Sequence, residues 1–368
     1  MLRKLFVLVI CLVATIFSAS AQTPPNNEIW YTTTDGKKAE VSGWFMSHTY
    51  ENGKGVVHME GSYWSGYGIH EIFYRSGSTK LGMQIHGKNV KSITIPDGIT
   101  GIEMGAFEGC SNLTSITIPE SVTEIGYQVF SGCSRLRKFN SSYASKDGRC
   151  LIIGGTLVGF APAGLTEYTI PDYVTDIADG AISGCNNLRR FKGKYASKDG
   201  RCLIKDGVLI AFAPAGLTEY TIPKGVTSIY SGAFYGCSNL KRLTIPNSVT
   251  EIGDCAFLGC GGTLIINCNI PDAEYWEEEG DSGYLDCPFQ DAGFTRVIIG
   301  NRVTSIGDYA FSGCRKLTSI TISKGVTKIG NSAFSGCSSL KSIIIPKDVT
   351  EIGDDTFGDC KSLTSITI

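Results

Sequence analysis

The stretch CSNLTSITIPESVTEIGYQVFSG, from Cys110 to Gly132, decides the fold, because it recurs along the chain at a fixed interval. Full copies in the same register begin at Cys237, Cys314 and Cys337. The steps from Cys110 to Cys133, Cys237 to Cys260, Cys314 to Cys337 and Cys337 to Cys360 are each 23 residues. The steps from Cys133 to Cys185 and from Cys185 to Cys237 are each 52, room for a 29-residue unit and a regular one. The step from Cys260 to Cys314 is 54, room for a 31-residue unit and a regular one. Units therefore start at 87, 110, 133, 162, 185, 214, 237, 260, 291, 314 and 337, eleven in all, with a partial unit from Cys360. A period of this size marks a stacked solenoid in which each unit touches only its neighbours.

Within a unit the pattern is CxxLxxIxIPxxVTxIGxxAFxG. Its apolar positions are Leu113, Ile116, Ile118, Val122, Ile125 and Phe130. The alternating, β-branched stretch that ends at Ile118 predicts a strand. Pro119 stops it, since proline cannot donate to a ladder. Gly126 and Gly132 mark turns. The pairs Ala106-Phe107, Ala233-Phe234, Ala310-Phe311 and Ala333-Phe334 predict a short return arm whose Phe fills the interior. No unit can bury these side chains alone; stacking aligns them in columns. Parallel strands about 4.8 Å apart then give a sheet roughly 50 Å along the stack.

This spacing resembles a leucine-rich repeat, LxxLxLxxNxL, with Pro in place of the usual Asn. The signature IxIPxxVTxIGxxAF is similar to that of the BspA-like (treponemal-type) leucine-rich repeat surface protein family, and the resemblance spans residues 87–368. The expected fold class is an α/β-type repeat solenoid, β-rich, with 23-residue units, a parallel strand ladder and a small N-terminal β cap. The resemblance implies a protein that is secreted or displayed on the bacterial envelope. Some members of the family are adhesins for host matrix proteins or other cells.

The formal net charge is −2 and charged residues make up 18% of the chain, which argues against a nucleic-acid partner. Arg3 and Lys4 precede an apolar run from Leu5 to Phe17, followed by Ser18-Ala19-Ser20-Ala21. Residues 1–21 therefore read as a signal peptide cleaved before Gln22, the run being short for a membrane span. Cys11 leaves with it, and no later stretch is long enough to span. Among the other cysteines, those of the ladder position recur at equivalent places and point the same way. Disulfides need cross-facing geometry, so buried thiols are expected. The best disulfide candidate is Cys268 with Cys287, inside the 31-residue unit. No CxxC pair occurs, and no cofactor or metal is implied.

Residues 22–86 precede the repeat. Gln22 to Asn27 reads as a linker, and strand-like runs at Glu28–Thr34, Val56–Glu60 and Glu71–Tyr74 predict a β-rich cap over the open solenoid end. A small binding module is the alternative, with Tyr63, Trp64 and Tyr67 stacking on sugar rings. All four histidines (His48, His58, His70, His86) fall here, at spacings that match no metal motif. The two 29-residue units are near copies, YASKDGRCL from Tyr143 and again from Tyr195, so a 52-residue block is duplicated. Each carries a hairpin signal, Gly154-Gly155 and Asp206-Gly207. These hairpins either protrude as ridges or extend the core; their apolar content favours the core. Tyr275 and Trp276, with Glu277 to Glu279, read as a solvated loop with an aromatic tip that lacks calcium-ligand order.

Outward strand positions are small at both ends of the array, such as Ser115 and Thr321, and basic in the middle. Lys138, Glu167, Arg190, Glu219 and Arg242 alternate in sign in five successive units, which predicts a cross-strand charge ladder. Arg137, Arg189 and Lys241 stay uncompensated and become the charged contact candidates, beside Trp64, Tyr275 and Trp276. No GxSxG or HExxH occurs and no histidine lies in the repeat, so no enzyme is expected. The expectation is an exported, non-enzymatic adhesion or protein-binding scaffold, its partner a protein of the extracellular matrix or a cell surface, or a glycan. The alternatives are a structural envelope scaffold and a carbohydrate-binding protein. The sequence stops at Ile368 inside the strand of an unfinished unit, a bare edge; either the chain continues or another molecule covers it.

Overall fold

The computed structural model describes residues 28–42, 47–58, 80–81, 84–86, 88–182, 184–253, 255–276, 284–286, 288–289 and 292–368. Each regular repeat lays down a strand, a turn, a two-residue strand and a return arm. Ser115–Thr117 shows why. Ile116 is fully buried while Ser115 and Thr117 are half-buried, and this alternation fixes the register. Ile116 pairs in parallel with Ile93 on one side and Phe139 on the other. The same register runs from Tyr220 through Leu243, Leu264 and Val297 to Ile320. A second parallel ladder follows the proline turn, with rungs such as Gly101–Ile102 and Glu124–Ile125, or Ser305–Ile306, Lys328–Ile329 and Glu351–Ile352. The return side carries turns, and no α-helix occurs among the described residues. An arm confined between Gly126 and Gly132 is too short to sustain a helical nucleus. The architecture is thus a β-solenoid of leucine-rich-repeat type.

The arms bind one another as well. Phe311 N–H donates to Ala333 O (2.8 Å), and Phe334 N–H to Thr356 O (2.9 Å). Their rings stack in a column: Phe234, Phe257, Phe289, Phe311, Phe334 and Phe357, with centroids 5.4, 5.4, 5.1, 5.5 and 5.7 Å apart in turn. The ladder cysteines tie arm to arm. The Cys337 thiol donates to Phe311 O (3.2 Å), Cys133 to Phe107 O (3.2 Å) and Cys260 to Phe234 O (3.2 Å). Each of these carbonyls also accepts the N–H of its own unit's neighbour, Cys314, Cys110 or Cys237, so both lone pairs are used. The twelve described cysteines are thiols, not disulfides. Cys268 is among them and buried; Cys287 lies outside the described residues.

One glycine is required by approach rather than by φ. A Cβ on Gly126 would meet Met104 N at 2.5 Å, and one on Gly330 would meet Asp308 N at 2.5 Å. Ala178 and Tyr230 hold this place in the two units that follow a 29-residue unit. There the N–H goes to Leu157 O and Leu209 O of an inserted hairpin.

The hairpins are part of the core. Cys150–Ile153 pairs with Thr156–Phe160, and the latter pairs in parallel with Asp176–Ile177, so the hairpin supplies a rung of the second ladder. Cys202–Lys205, Val208–Phe212 and Ser228–Ile229 repeat this. Leu151, Leu157 and Phe160 are buried. The loops before the hairpins enter the main ladder: Phe139 N–H donates to Gly148 O (2.8 Å) and Phe191 N–H to Gly200 O (2.7 Å). The ladder is therefore interrupted after Lys138–Asn140 and after Arg190–Lys192.

At the N-terminal end, Glu28–Thr33 pairs antiparallel with Val90–Thr94, and Lys54–His58 and Ser47–Glu51 follow outward in the same sheet. An antiparallel meander thus covers the edge of the first parallel strand. The second ladder already starts at Lys80–Leu81.

Candidate binding face

Two outward rows of the main ladder carry its charge. The first is set by backbone hydrogen bonds just ahead of the strands. Thr114 N–H donates to Lys91 O (2.8 Å), Arg137 to Thr114 O (2.9 Å), Arg189 to Thr166 O (2.6 Å) and Lys241 to Thr218 O (2.6 Å). At the two interruptions Ala163 N–H reaches Leu136 O (3.0 Å) and Ala215 N–H reaches Leu188 O (2.9 Å), while an inserted loop lies between the strands that follow Arg137 and Thr166, and Arg189 and Thr218. The same repeat position therefore carries Lys91, Thr114 and Arg137 in one continuous stretch, Thr166 and Arg189 in the next, and Thr218 and Lys241 in the third. All four cations are exposed, and none makes an ion pair among the described residues. No Asp or Glu stands in this row. Lys91 escaped a reading of the basic middle units because it lies in the first unit. Its register was visible: it stands five residues before Pro96, as Lys241 stands before Pro246.

The second row departs from the continuous five-rung charge ladder expected from sequence. Glu167 lies beside Arg190 and Glu219 beside Arg242, but the inserted loops separate Lys138 from Glu167 and Arg190 from Glu219. Glu167 takes its ion pair two residues along the neighbouring strand, from Lys192 Nζ at 2.9 Å. That hydrogen bond, with Arg190 nearby, holds its carboxyl below the usual range. Arg242 Nε reaches Glu219 at 4.0 Å. The row is two separate exposed pairs.

The acids of the inserted loops are exposed but held by hydrogen bonds. Ser145 Oγ donates to Asp147 (2.6 Å), Arg149 N–H to the same carboxylate (3.1 Å) and Tyr168 OH to its other oxygen (3.1 Å). Ser197, Arg201 and Tyr220 hold Asp199 at 2.6, 3.0 and 3.1 Å. Other acids lie on the second ladder, with Glu124, Asp176, Glu251 and Glu351 exposed there. Acids thus occur on both ladders, and the row of Lys91, Arg137, Arg189 and Lys241 is free of them.

Tyr275 and Trp276 do not sit on a loop. They form part of strand Glu274–Trp276, which pairs antiparallel with Tyr284–Asp286; adjacent aromatic residues favour a pleated pairing. Trp64 and its neighbours lie outside the described residues, as do residues 1–27. His48 is engaged with Tyr31 OH (2.5 Å). Among the described residues no group of three or more His, Cys, Asp or Glu side chains could hold a metal ion, and no helix is long and apolar enough to cross a membrane.

The sequence matches, in six copies, a family described as BspA type leucine-rich repeat region, over residues 80–148, 209–277 and 286–368, more than half of the chain. The unmatched interval 149–208 contains the first hairpin and part of the second. Among solved structures, a leucine-rich cell surface protein from Faecalibacterium prausnitzii A2-165 is 25% identical over 75% of this chain and 78% of that one, with a TM-score of 0.37. A leucine-rich repeat protein from Bacteroides ovatus ATCC 8483 is 23% identical over 82% of this chain and 94% of that one, with a TM-score of 0.40. One from Eubacterium ventriosum ATCC 27560 is 21% identical over 77% and 91%, with a TM-score of 0.40. No curated protein matches.

Proposed function

The chain belongs to the BspA-type leucine-rich repeat family, and on that premise we propose that it is an exported, non-enzymatic adhesin of the bacterial cell surface. Its main-ladder face holds a ligand on the host matrix or on another cell. The observation that carries this reading is the row of exposed cations Lys91, Arg137, Arg189 and Lys241. Stability gives no reason for them: exposed charges without partners contribute little to folding, and like charges in a row repel. A binding face gives them a use. The strand-forming Tyr275 and Trp276, and Trp64 ahead of the repeat, are secondary contact candidates. Export rests on the signal-like residues 1–21.

The test is binding of the chain from Gln22 onward to immobilised matrix proteins in about 0.15 M salt. An Arg137→Ala/Arg189→Ala/Lys241→Ala variant runs alongside. Saturable binding that weakens in the variant supports an adhesin face on the ladder. Unchanged binding places the contact elsewhere. No binding, with the protein retained in an envelope fraction, favours a structural scaffold.

A further inference from the structure

We infer that the row Lys91, Arg137, Arg189 and Lys241 is a track for a linear acidic polysaccharide, one that carries a carboxylate or sulfate on each disaccharide. The inference rests on the adhesin reading above and names the class of ligand.

Spacing is the first argument. Lys91 and Arg137 are two strand spacings apart, about 10 Å, and the inserted loop adds up to one further spacing, roughly 5 Å, between Arg137 and Arg189 and between Arg189 and Lys241. These steps are of the order of length of a disaccharide, so a chain charged once per disaccharide can set a charge near each cation. A nucleic acid strand carries a charge about every 3.4 Å along its axis, far denser than the row. Composition is the second argument. Protein interfaces depend on buried aromatic or aliphatic anchors. The row holds only Lys, Arg and Thr from Lys91 to Lys241. Thr166 and Thr218, exposed between the cations, offer hydroxyls that donate to and accept from sugar hydroxyls.

The surrounding charges leave the row positive. Asp147 and Asp199, though exposed, are held by hydrogen bonds from Tyr168 and Tyr220. Glu167 is taken by Lys192, and Glu219 faces Arg242. Backbone hydrogen bonds hold Lys91, Thr114 and Arg137 together, Thr166 beside Arg189 and Thr218 beside Lys241 before any ligand arrives, so little ordering is lost on binding. At physiological salt the screening length is about 8 Å. Neighbouring cations then act almost independently, each contact is weak, and affinity comes from engaging several at once. Affinity must therefore grow with the length of the oligosaccharide until it spans the row, and then level off.

The experiment is a length series of hyaluronate and chondroitin sulfate oligosaccharides, disaccharide to dodecasaccharide, titrated into the chain from Gln22 onward. Polyglutamate of matching length and neutral dextran serve as comparisons. Affinity that rises with length and then levels off, with weaker binding of polyglutamate and none of dextran, is the expected result. The variant Lys91→Gln/Arg137→Gln/Arg189→Gln/Lys241→Gln should lose at least about tenfold in affinity, or about 1.4 kcal/mol. Arg189→Gln alone should lose part of that. Lys224→Gln/Lys324→Gln/Lys347→Gln/Lys361→Gln, the same charge change at exposed positions off the row, should keep wild-type binding. No oligosaccharide binding, no dependence on length, binding to polyglutamate as tight as to the glycans, or an equal loss in the off-row variant would each overturn the inference. Matrix-protein binding that survives such a result would leave the adhesin reading standing.

Discussion

Phe311→Ala probes how the repeats are held together. Phe311 is fully buried and stacked on both sides, on Phe289 at 5.1 Å and on Phe334 at 5.5 Å, tilted by 15° and 2°. Truncating a buried Phe to Ala costs about 3–5 kcal/mol, transfer and cavity together. Phe311→Leu keeps most of the aliphatic volume and loses the ring pairs, each worth about 0.5–1.5 kcal/mol. Phe357 ends the same column, half-buried and stacked on Phe334 at 5.7 Å. Its truncation should cost about 1–2 kcal/mol, since less area leaves water there. Urea unfolding followed by far-UV circular dichroism should rank Phe311→Ala well above Phe311→Leu and Phe357→Ala. Stability in a repeat array is a sum of unit and nearest-neighbour terms. Weakening an interior contact should therefore broaden or split the transition, while Phe357→Ala shifts its midpoint. Equal costs at Phe311 and Phe357, with unchanged cooperativity, would refute the idea that the ring column couples the units.

Burial lifts the Cys150 and Cys202 thiols to about 12, so at pH 8 an alkylating reagent should leave most thiols unlabelled until urea is added, with the half-buried Cys255 and Cys360 reacting first; rapid labelling of the whole native set would contradict the buried column. Burial, then Lys38, lowers His48 to about 4, against about 6.5 unfolded. Its neutral form therefore contributes stability that is present above pH 6.5 and lost as pH falls through 4, and a native-state resonance assigned to His48 that titrates near 6.5 would remove this. Asp147→Asn and Asp199→Asn should each cost about 1 kcal/mol, equally and additively, because the two loops hold them with matching geometry; calorimetric melting that finds one costly and the other silent would show that the copies have diverged.

Much of the solenoid was legible because its signal is local and repeated. Ile116, Pro119 and Phe130 each carry a physical instruction, and the period multiplies it. The helix-or-turn choice on the return side was not legible from periodicity alone, since the arm is too short to show one. Tyr275 and Trp276 misled because glutamates follow them, whereas the antiparallel partner, Tyr284–Asp286, stands further along the chain, beyond those glutamates. The charge row was half legible. Arg137, Arg189 and Lys241 stood out, but the alternating signs of Lys138, Glu167, Arg190, Glu219 and Arg242 imply a continuous ladder only if their strands are neighbours. Whether an insertion bulges outward or enters the ladder is a tertiary fact.

That fact links the duplication to the candidate face. Each inserted hairpin donates Thr156–Phe160 or Val208–Phe212 to the second ladder, while its leading loop takes a place beside Phe139 or Phe191 in the main one. A simple array of identical units would put Glu167 directly against Lys138 and Glu219 directly against Arg190. The insertions break both contacts, and the remaining pairs, Glu167 with Lys192 and Glu219 with Arg242, lie on the far side of each break. Arg137 and Arg189 occupy corresponding places in the two copies of the block, so copying the block copied the cation with its local surroundings. A regular spacing of unpaired charge is thus what duplication of this block produces, and a ligand with a regular spacing of opposite charge is the kind of partner such a surface can select. Deleting one 52-residue block, residues 143–194, tests this directly. The shortened solenoid should fold, because Tyr195 repeats the context of Tyr143, and its row should carry one cation fewer. The glycan length at which affinity levels off should then shorten by about one disaccharide per two strands removed. An unchanged length would mean that the row does not measure its ligand.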